Sequence, residues 1–311
     1  MGSRNYGLGS RDMAWAGDIA LKNLSGLSFS GIATLSERWG EFCKWAKNEG
    51  IKKMETVTRD TIISYGSVLA EKVKLGELSA ATAQNYVSAV NRVMELARGD
   101  REVSVSPTKD CGIPKRSGIA TESKAIGEAA HQGIKEGVSE RVAALLDLQR
   151  EFGLRFKESA LLDARGALHE AKTLGQVQIV DGTKGGRPRF VPITQPERQI
   201  AALVRAAILQ GGQSMIPPSQ RYIDFARECY REFSNYHGER HSYAQQRYET
   251  LVGAPCPVAA GVAHGAAHHK FLAGRLGIDK ASARDLDRQV RLQIAEELGH
   301  GRIEITNKYF G

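Results

Sequence analysis

The sequence predicts a mainly α-helical protein in two parts: a helical bundle, then a mostly helical unit carrying one small antiparallel β-hairpin. Three observations carry that prediction. Apolar residues recur at steps of three or four along the first part of the chain, the signature of helices with one buried face. Between Ser104 and Gly118 the periodicity stops and Pro107, Gly112, Pro114 and Gly118 accumulate. Only between residues 177 and 193 do β-forming residues flank a glycine-rich turn.

The elements follow in order. An amphipathic stretch runs from Met13 to Leu24. From Ser30 to Glu49, Ile32, Leu35, Trp39, Phe42 and Trp45 fall on one helical face, with Ser30 as the expected N-cap and Gly50 as the stop. Thr58 caps a helix bearing Ile62, Ile63, Val68, Leu69 and Val73. Ser79 caps another with Tyr86, Val90, Val93 and Met94 inward and Gly99 at its end. Trp15, Trp39 and Trp45 are expected in the core. Past the irregular stretch, a helix through Val142, Leu145, Leu146 and Leu148 ends near Gly153, and another starts near Phe156. Val177, Ile179, Phe190 and Val191 flank the turn 181–186. Helices return near 196–210, 219–235, 239–251 and 283–298. The expected boundaries are 1–105 for the bundle, 106–118 for a linker and 119–311 for the second unit.

Composition removes several classes. At 311 residues, 41% hydrophobic and 25% charged, the chain is long enough for two cores and is not a disordered protein. Cys43, Cys111, Cys229 and Cys256 are far apart and read as reduced structural thiols in a cytosolic protein. The longest apolar run, Pro257 to Ala267, is too short for a membrane span, and no export signal opens the chain. A net charge of +8 is compatible with polyanion binding. It divides evenly, with 17 basic against 13 acidic residues in 1–120 and 26 against 22 in 121–311. In the linker, Lys115 and Arg116 suit either a solvated hinge or a strap along a phosphate backbone.

Four segments of the second part carry chemistry: Gly153-Leu154-Arg155-Phe156-Lys157-Glu158, Lys184 in the hairpin turn, His237-Gly238-Glu239-Arg240-His241, and Leu298-Gly299-His300 with Tyr309 nine residues beyond. Two arginines distant in sequence can clamp one phosphate. A lysine on a mobile turn can protonate a leaving oxygen, and histidines move protons near neutrality. A tyrosine can attack phosphorus and hold it as an ester. Such a set performs phosphoryl transfer with cationic side chains in place of a divalent ion.

The order Arg…Lys…His-x-x-Arg…His…Tyr resembles the catalytic set of the tyrosine recombinase (phage integrase) family, and the resemblance extends over nearly the whole chain. It implies a helical core-binding domain, a linker and a catalytic domain closing as a clamp on double-stranded DNA. It implies that Arg155, Lys184, His237, Arg240, His300 and the nucleophile Tyr309 are catalytic, with Glu158 supporting the arginine pair. Lys115, Arg116, Arg187 and Arg189 are the expected DNA contacts, Arg187 and Arg189 also competing with Lys184 for its role. The implied activity is site-specific cleavage and rejoining through a 3′-phosphotyrosine, for integration or excision of a mobile element. The implied assembly is a tetramer on synapsed recombination sites, with no metal, cofactor or membrane partner, at the nucleoid of a bacterial cytoplasm. His237 is the expected acceptor of the tyrosine proton.

Other readings stand beside this one. A type IB topoisomerase would share the chemistry and relax supercoils as a monomer; a non-catalytic DNA-binding protein would share only the fold. The segment from His241 to Glu297 is longer than compact members of the family have, with an Ala/Gly/His-rich insertion near 253–276. His264, His268 and His269 there are expected to be solvated on a helix, with no carboxylate beside them. His237 and His241 have the i, i+4 spacing of metal ligands, but Arg240 between them would repel a cation.

Overall fold

The computed structural model describes residues 4–311. It divides into two compact units, Met1–Ser117 and Gly118–Gly311.

The first unit is a bundle of helices α1 (Met13–Leu24), α2 (Phe29–Asn48), α3 (Arg59–Lys74) and α4 (Ala80–Arg98). Thr58 and Thr61 form a reciprocal capping box on α3, Ser79 caps α4, and Gly99 ends α4 in the left-handed conformation. Trp39, Phe42, Ile62, Val90, Val93 and Met94 are fully buried in one core.

Three expectations need correction here. Ser28, not Ser30, caps α2, accepting from Gly31 N at 3.3 Å; Ser30 already lies in the first turn. Trp15 is 56% exposed, because α1 turns Met13, Ala16, Ala20 and Leu21 inward and leaves Trp15 beside that stripe, under the Lys22 ammonium. The stretch after Ser104 is not uniformly a solvated hinge. Val105, Cys111 and Ile113 are buried in the bundle core, and a Cβ on Gly66 would stand 2.4 Å from Cys111 Sγ. Asp110 accepts from Arg59 Nη2 at 2.8 Å and from Ser106 N at 2.6 Å, tying the turn down. Pro114 to Gly118, with Lys115 and Arg116, is exposed.

The second unit contains α5 (Glu128–Glu136), α6 (Glu140–Phe152), α7 (Phe156–Leu161), α8 (Ala164–Leu174), the strands β1 (Gln176–Ile179) and β2 (Arg189–Pro192), α9 (Pro196–Leu209), α10 (Tyr222–Glu232), α11 (Tyr236–Val252), α12 (Pro257–Ala260), α13 (Ala266–Leu276), α14 (Lys280–Glu297) and α15 (Asn307–Phe310). The strands pair antiparallel, with Val177 opposite Val191 and Ile179 opposite Arg189. Helix α6 packs against both α9 and α11, and its Leu145, Leu146, Leu148 and Phe152 are fully buried. Helix α5 gave no sequence signal, since its polar stretch buries only His131. The 253–276 segment also departs from expectation. His268 is 1% exposed, and the Asp287 carboxylate lies 3.7 Å from it and 3.5 Å from His269. The partner carboxylate comes from α14, too far along the chain to be seen as a neighbour.

Candidate active site

Gly153 begins the site. It ends α6 at φ 61°, and a Cβ there would lie 2.5 Å from Tyr243 Cδ1, so only glycine suits the turn. The turn delivers Arg155 to the N-cap of α7, where the Arg155 amide donates to Glu158 Oε2 at 2.7 Å and its guanidinium to Oε1 at 2.6 Å. Glu158 is fully buried and also receives Arg189, whose Nη1 and Nη2 donate to its two oxygens at 3.0 and 2.7 Å. Burial raises the Glu158 pKa, but Arg189, Arg240 and the Arg155 amide outweigh it and hold the carboxyl below its ordinary value.

Arg189 therefore does not fit its expected place on DNA. It is 6% exposed and also donates from Nε to Glu297 O at 2.7 Å. The alternation that buries Val191 buries Arg189 two residues earlier, a signal the sequence held. Phe190, between them, is 51% exposed. Arg187 is exposed near Gly301, and Lys184 is exposed in the hairpin turn, where no hydrogen bond or ion pair to a described residue holds it. The fold thus does not bring Lys184 into contact with the other site residues.

Helix α11 supplies His237, Arg240 and His241 from its first turns. Arg240 is fully buried. Its Nη1 donates to Gly153 O, its Nη2 to Leu298 O at 2.5 Å, and its Nε to Tyr309 Oη at 3.0 Å. Burial lowers its pKa to about 10, so it remains a cation at neutral pH. Beneath it, buried Glu239 accepts from Arg150 Nη1 at 2.7 Å and faces His131 Nδ1 at 2.8 Å. This pairing fixes the first turn of α11. Burial alone would lower the His131 pKa, but Asp147 and Glu239 on either side raise it.

Helix α14 ends at Glu297, and Gly299, at φ 68°, turns the chain so that Leu298 O meets Arg240 and His300 faces the phenol. Glu297 is held by Tyr243 Oη at 2.8 Å and Arg247 Nη2 at 2.8 Å. His300 Nε2 lies 3.3 Å from Tyr309 Oη and 3.3 Å from Arg240 Nη2. Since the guanidinium only donates, His300 Nε2 presents its lone pair. Burial, Arg240 and Arg155 lower the His300 pKa to about 3.

The expected first choice for the tyrosine proton, His237, has its ring centroid 5.8 Å from that of Tyr309, about as near as His300 at 5.7 Å, but makes no hydrogen bond to Oη. The His241 ring packs closer, at 4.6 Å, and its buried Nδ1 has no partner among the described residues. Both histidines are lowered to about 4, first by the protein packed around them. For His237 the cations Arg240, Arg155, Lys124 and Lys308 add to this. All three are neutral at pH 7. Tyr309 itself is 4% exposed on α15, with its carbonyl accepting from Gln245 Nε2 at 2.9 Å. The fold gathers Arg155, Arg240, His300 and Tyr309 around one point. Sequence reasoning missed Glu239, His131, Arg150 and Glu297, whose partners lie on other elements.

The class of fold is that of integrases whose structures have been solved bound to DNA. The integrase family model matches residues 112–246, a span that includes Arg155, Lys184, His237 and Arg240. Among solved structures, the chain is similar to a lambda integrase dimer bound to a COC′ core site, with a TM-score of 0.53 and 14% identity, over 87% of this chain and 75% of that one. It is similar to the Tn1549 transposon integrase in complex with a circular-intermediate DNA, with a TM-score of 0.53 and 9% identity, over 97% and 96%. A second lambda integrase structure bound to DNA aligns at a TM-score of 0.52 and 12% identity, over 79% and 87%. No curated protein sequence matches significantly. The integrase family model thus accounts for residues 112–246, and the fold of the chain is shared with these integrases.

Proposed function

We propose that this protein is a site-specific DNA recombinase that cleaves and rejoins strands through a 3′-phosphotyrosine, serving integration or excision of a mobile element. The observation that carries the reading is the phenol of Tyr309, held between Arg240 Nε and His300 Nε2 beside the Arg155–Glu158 pair. The DNA-bound state of the similar integrases supports duplex DNA as the partner. In this reading both units bind DNA, with Lys115, Arg116 and Arg187 on phosphates, and a tetramer assembles on synapsed sites.

Tyr309 Oη attacks the scissile phosphorus and its proton passes to His300 Nε2, the nearest lone pair. The entering phosphodiester anion offsets the surrounding cations and makes His300 a better base than it is in the free protein. Arg155 and Arg240 take the non-bridging oxygens and stabilise the charge of the pentavalent transition state. His237 hydrogen-bonds the phosphate. Lys184 swings from its exposed turn to protonate the leaving 5′ oxygen. A second 5′-hydroxyl then reverses the chemistry on a new partner strand, so no external energy source is consumed.

The test uses a nicked duplex taken from DNA flanking the protein's own gene, scored for a covalent protein–DNA adduct. The adduct should form in excess EDTA and vanish in Tyr309→Phe, with DNA binding retained. An adduct in Tyr309→Phe would overturn the nucleophile, and loss in EDTA restored by Mg²⁺ would overturn the metal-free mechanism. Lys184→Ala should slow cleavage, and sulfur at the bridging 5′ position should recover it, since a thiolate leaves without a proton. Relaxation of plasmids lacking that sequence would favour the topoisomerase reading.

A further inference from the structure

The 253–276 segment and α14 converge on the two ends of the short helix that carries Tyr309. Arg291 of α14 is 4% exposed and donates from Nη1 to Asn307 Oδ1 at 3.1 Å and from Nη2 to Gly311 O at 3.2 Å. One planar guanidinium thus grips residues on both sides of the nucleophile. Its own position is fixed by Asp287, which accepts from Nε at 3.0 and 2.9 Å and also from the Tyr248 hydroxyl. The same guanidinium lies 5.3 Å from the centroid of Phe310, whose ring is 5.0 Å from that of Tyr248.

The inserted segment closes the other side. His264 Nδ1 is 2.7 Å from Gly311 O, and because that oxygen only accepts, the nitrogen carries the proton. A Cβ on Gly311 would meet Val258 Cγ1 at 2.8 Å and Ala120 O at 2.9 Å, so the end of the helix is in close contact. Ala120 N and Gly311 N both donate to Asn307 O, at 2.9 and 3.1 Å. His268, whose Nε2 donates to Pro255 O at 3.1 Å, and His269 lie 3.7 and 3.5 Å from Asp287.

We propose that Arg291 and the 253–276 segment, acting chiefly through His264, form a clasp that holds the Tyr309 helix in its own chain's site, and that Arg291 and His264 are positioning residues for the nucleophile. The fork matters as much as the charge. A lysine at 291 keeps a cation for Asp287 but cannot reach Asn307 and Gly311 together. The clasp rests on the recombinase reading only for its consequence in catalysis, and its structural half is testable without DNA.

The experiment is amide hydrogen exchange on the full chain without DNA, comparing wild type, Arg291→Lys and His264→Ala, with α6 as the internal reference. The amides of Gly311 and Ala120, both bonded to Asn307 O, should exchange at least 10-fold faster in Arg291→Lys, and faster also in His264→Ala, while α6 is unchanged. Wild-type exchange at both amides in both variants would overturn the clasp. If Arg291→Lys fails to fold, His264→Ala decides on the same readout. In the second arm, adduct formation on the nicked duplex at saturating DNA should slow at least 10-fold in Arg291→Lys with DNA affinity unchanged. A loosened helix that cleaves at the wild-type rate would overturn the positioning role. No adduct from wild type, with exchange still responding, would leave the clasp standing and remove the recombinase reading instead.

Discussion

The bundle of Met1–Ser117 buries tryptophan, phenylalanine, tyrosine and aliphatic side chains, and among the described residues it buries no carboxylate, ammonium, guanidinium or imidazole. The unit Gly118–Gly311 buries Arg150, Arg189, Arg240, Arg247 and Arg291 together with Asp147, Glu158, Glu239, Asp287 and Glu297. Each of these carboxylates accepts from at least one cationic or histidine side chain. Burying such pairs gives little net stability compared with an apolar core, because desolvation offsets their attraction. What the pairs provide is fixed direction. Arg240 reaches Tyr309 because Gly153 and Leu298 carbonyls hold its other end, and Arg155 stays near it because Glu158 is already locked by Arg189. The bundle secures a shape, while the second unit spends folding energy on oriented charge.

This contrast is open to direct measurement, since all three tryptophans lie in the bundle. Tryptophan fluorescence reports that unit and far-UV circular dichroism reports both. The largest effect is expected from Glu158→Ala, which strands Arg189 and Arg155 and should cost the second unit about 3–5 kcal/mol. In urea, the dichroism transition should split or move to lower concentration while the fluorescence midpoint stays put. A fluorescence midpoint that falls in step would show that the two units do not unfold separately.

Acid should act next. His237, His241 and His300 have folded pKa values of about 4, 4 and 3, below the unfolded value of 6.5. The unfolded chain therefore binds protons first as pH falls below 6.5, and the second unit loses stability down to about pH 4. Glu158 and Asp287, both lowered, add a loss at still lower pH. His131 opposes this: raised by its carboxylate partners, its contribution is complete below 6.5 and fades as pH rises through its folded pKa. His268, also lowered by burial, adds to the loss, and four histidines against one predict that urea midpoints by dichroism fall between pH 6.5 and 5 while those by fluorescence hold. Equal shifts would contradict the charge asymmetry.

Deleting residues 1–117 should leave a folded second unit, because its core is its own. In DNA binding the fragment should be weaker and less salt-dependent, each lost phosphate contact reducing the slope of log K against log salt by about 0.9. An unchanged slope would mean that the bundle, Lys115 and Arg116 make no phosphate contact. The smallest effect is expected in the bundle itself. Ile62→Val removes one buried methylene and should cost about 0.5–1.5 kcal/mol, read by fluorescence alone.

Local patterns were legible wherever one residue's neighbours along the chain decide its fate. The apolar stripes of α2, α3 and α4, the caps Thr58 and Ser79, the stop at Gly99 and the hairpin around residues 177–193 all depend on contacts within a few positions. The ordered set from Arg155 to Tyr309 was legible too, because chemistry constrains residue type and order. Tertiary structure alone decided which charged groups face one another. Arg189 moved from an expected DNA contact to the buried support of Glu158, His300 rather than His237 came within hydrogen-bond distance of the phenol, and His268, expected in solvent, is buried near Asp287. The reason is physical. Apolar burial is non-directional and leaves a periodic trace in sequence, whereas a buried ion pair is a single geometric meeting of groups from distant elements and leaves none.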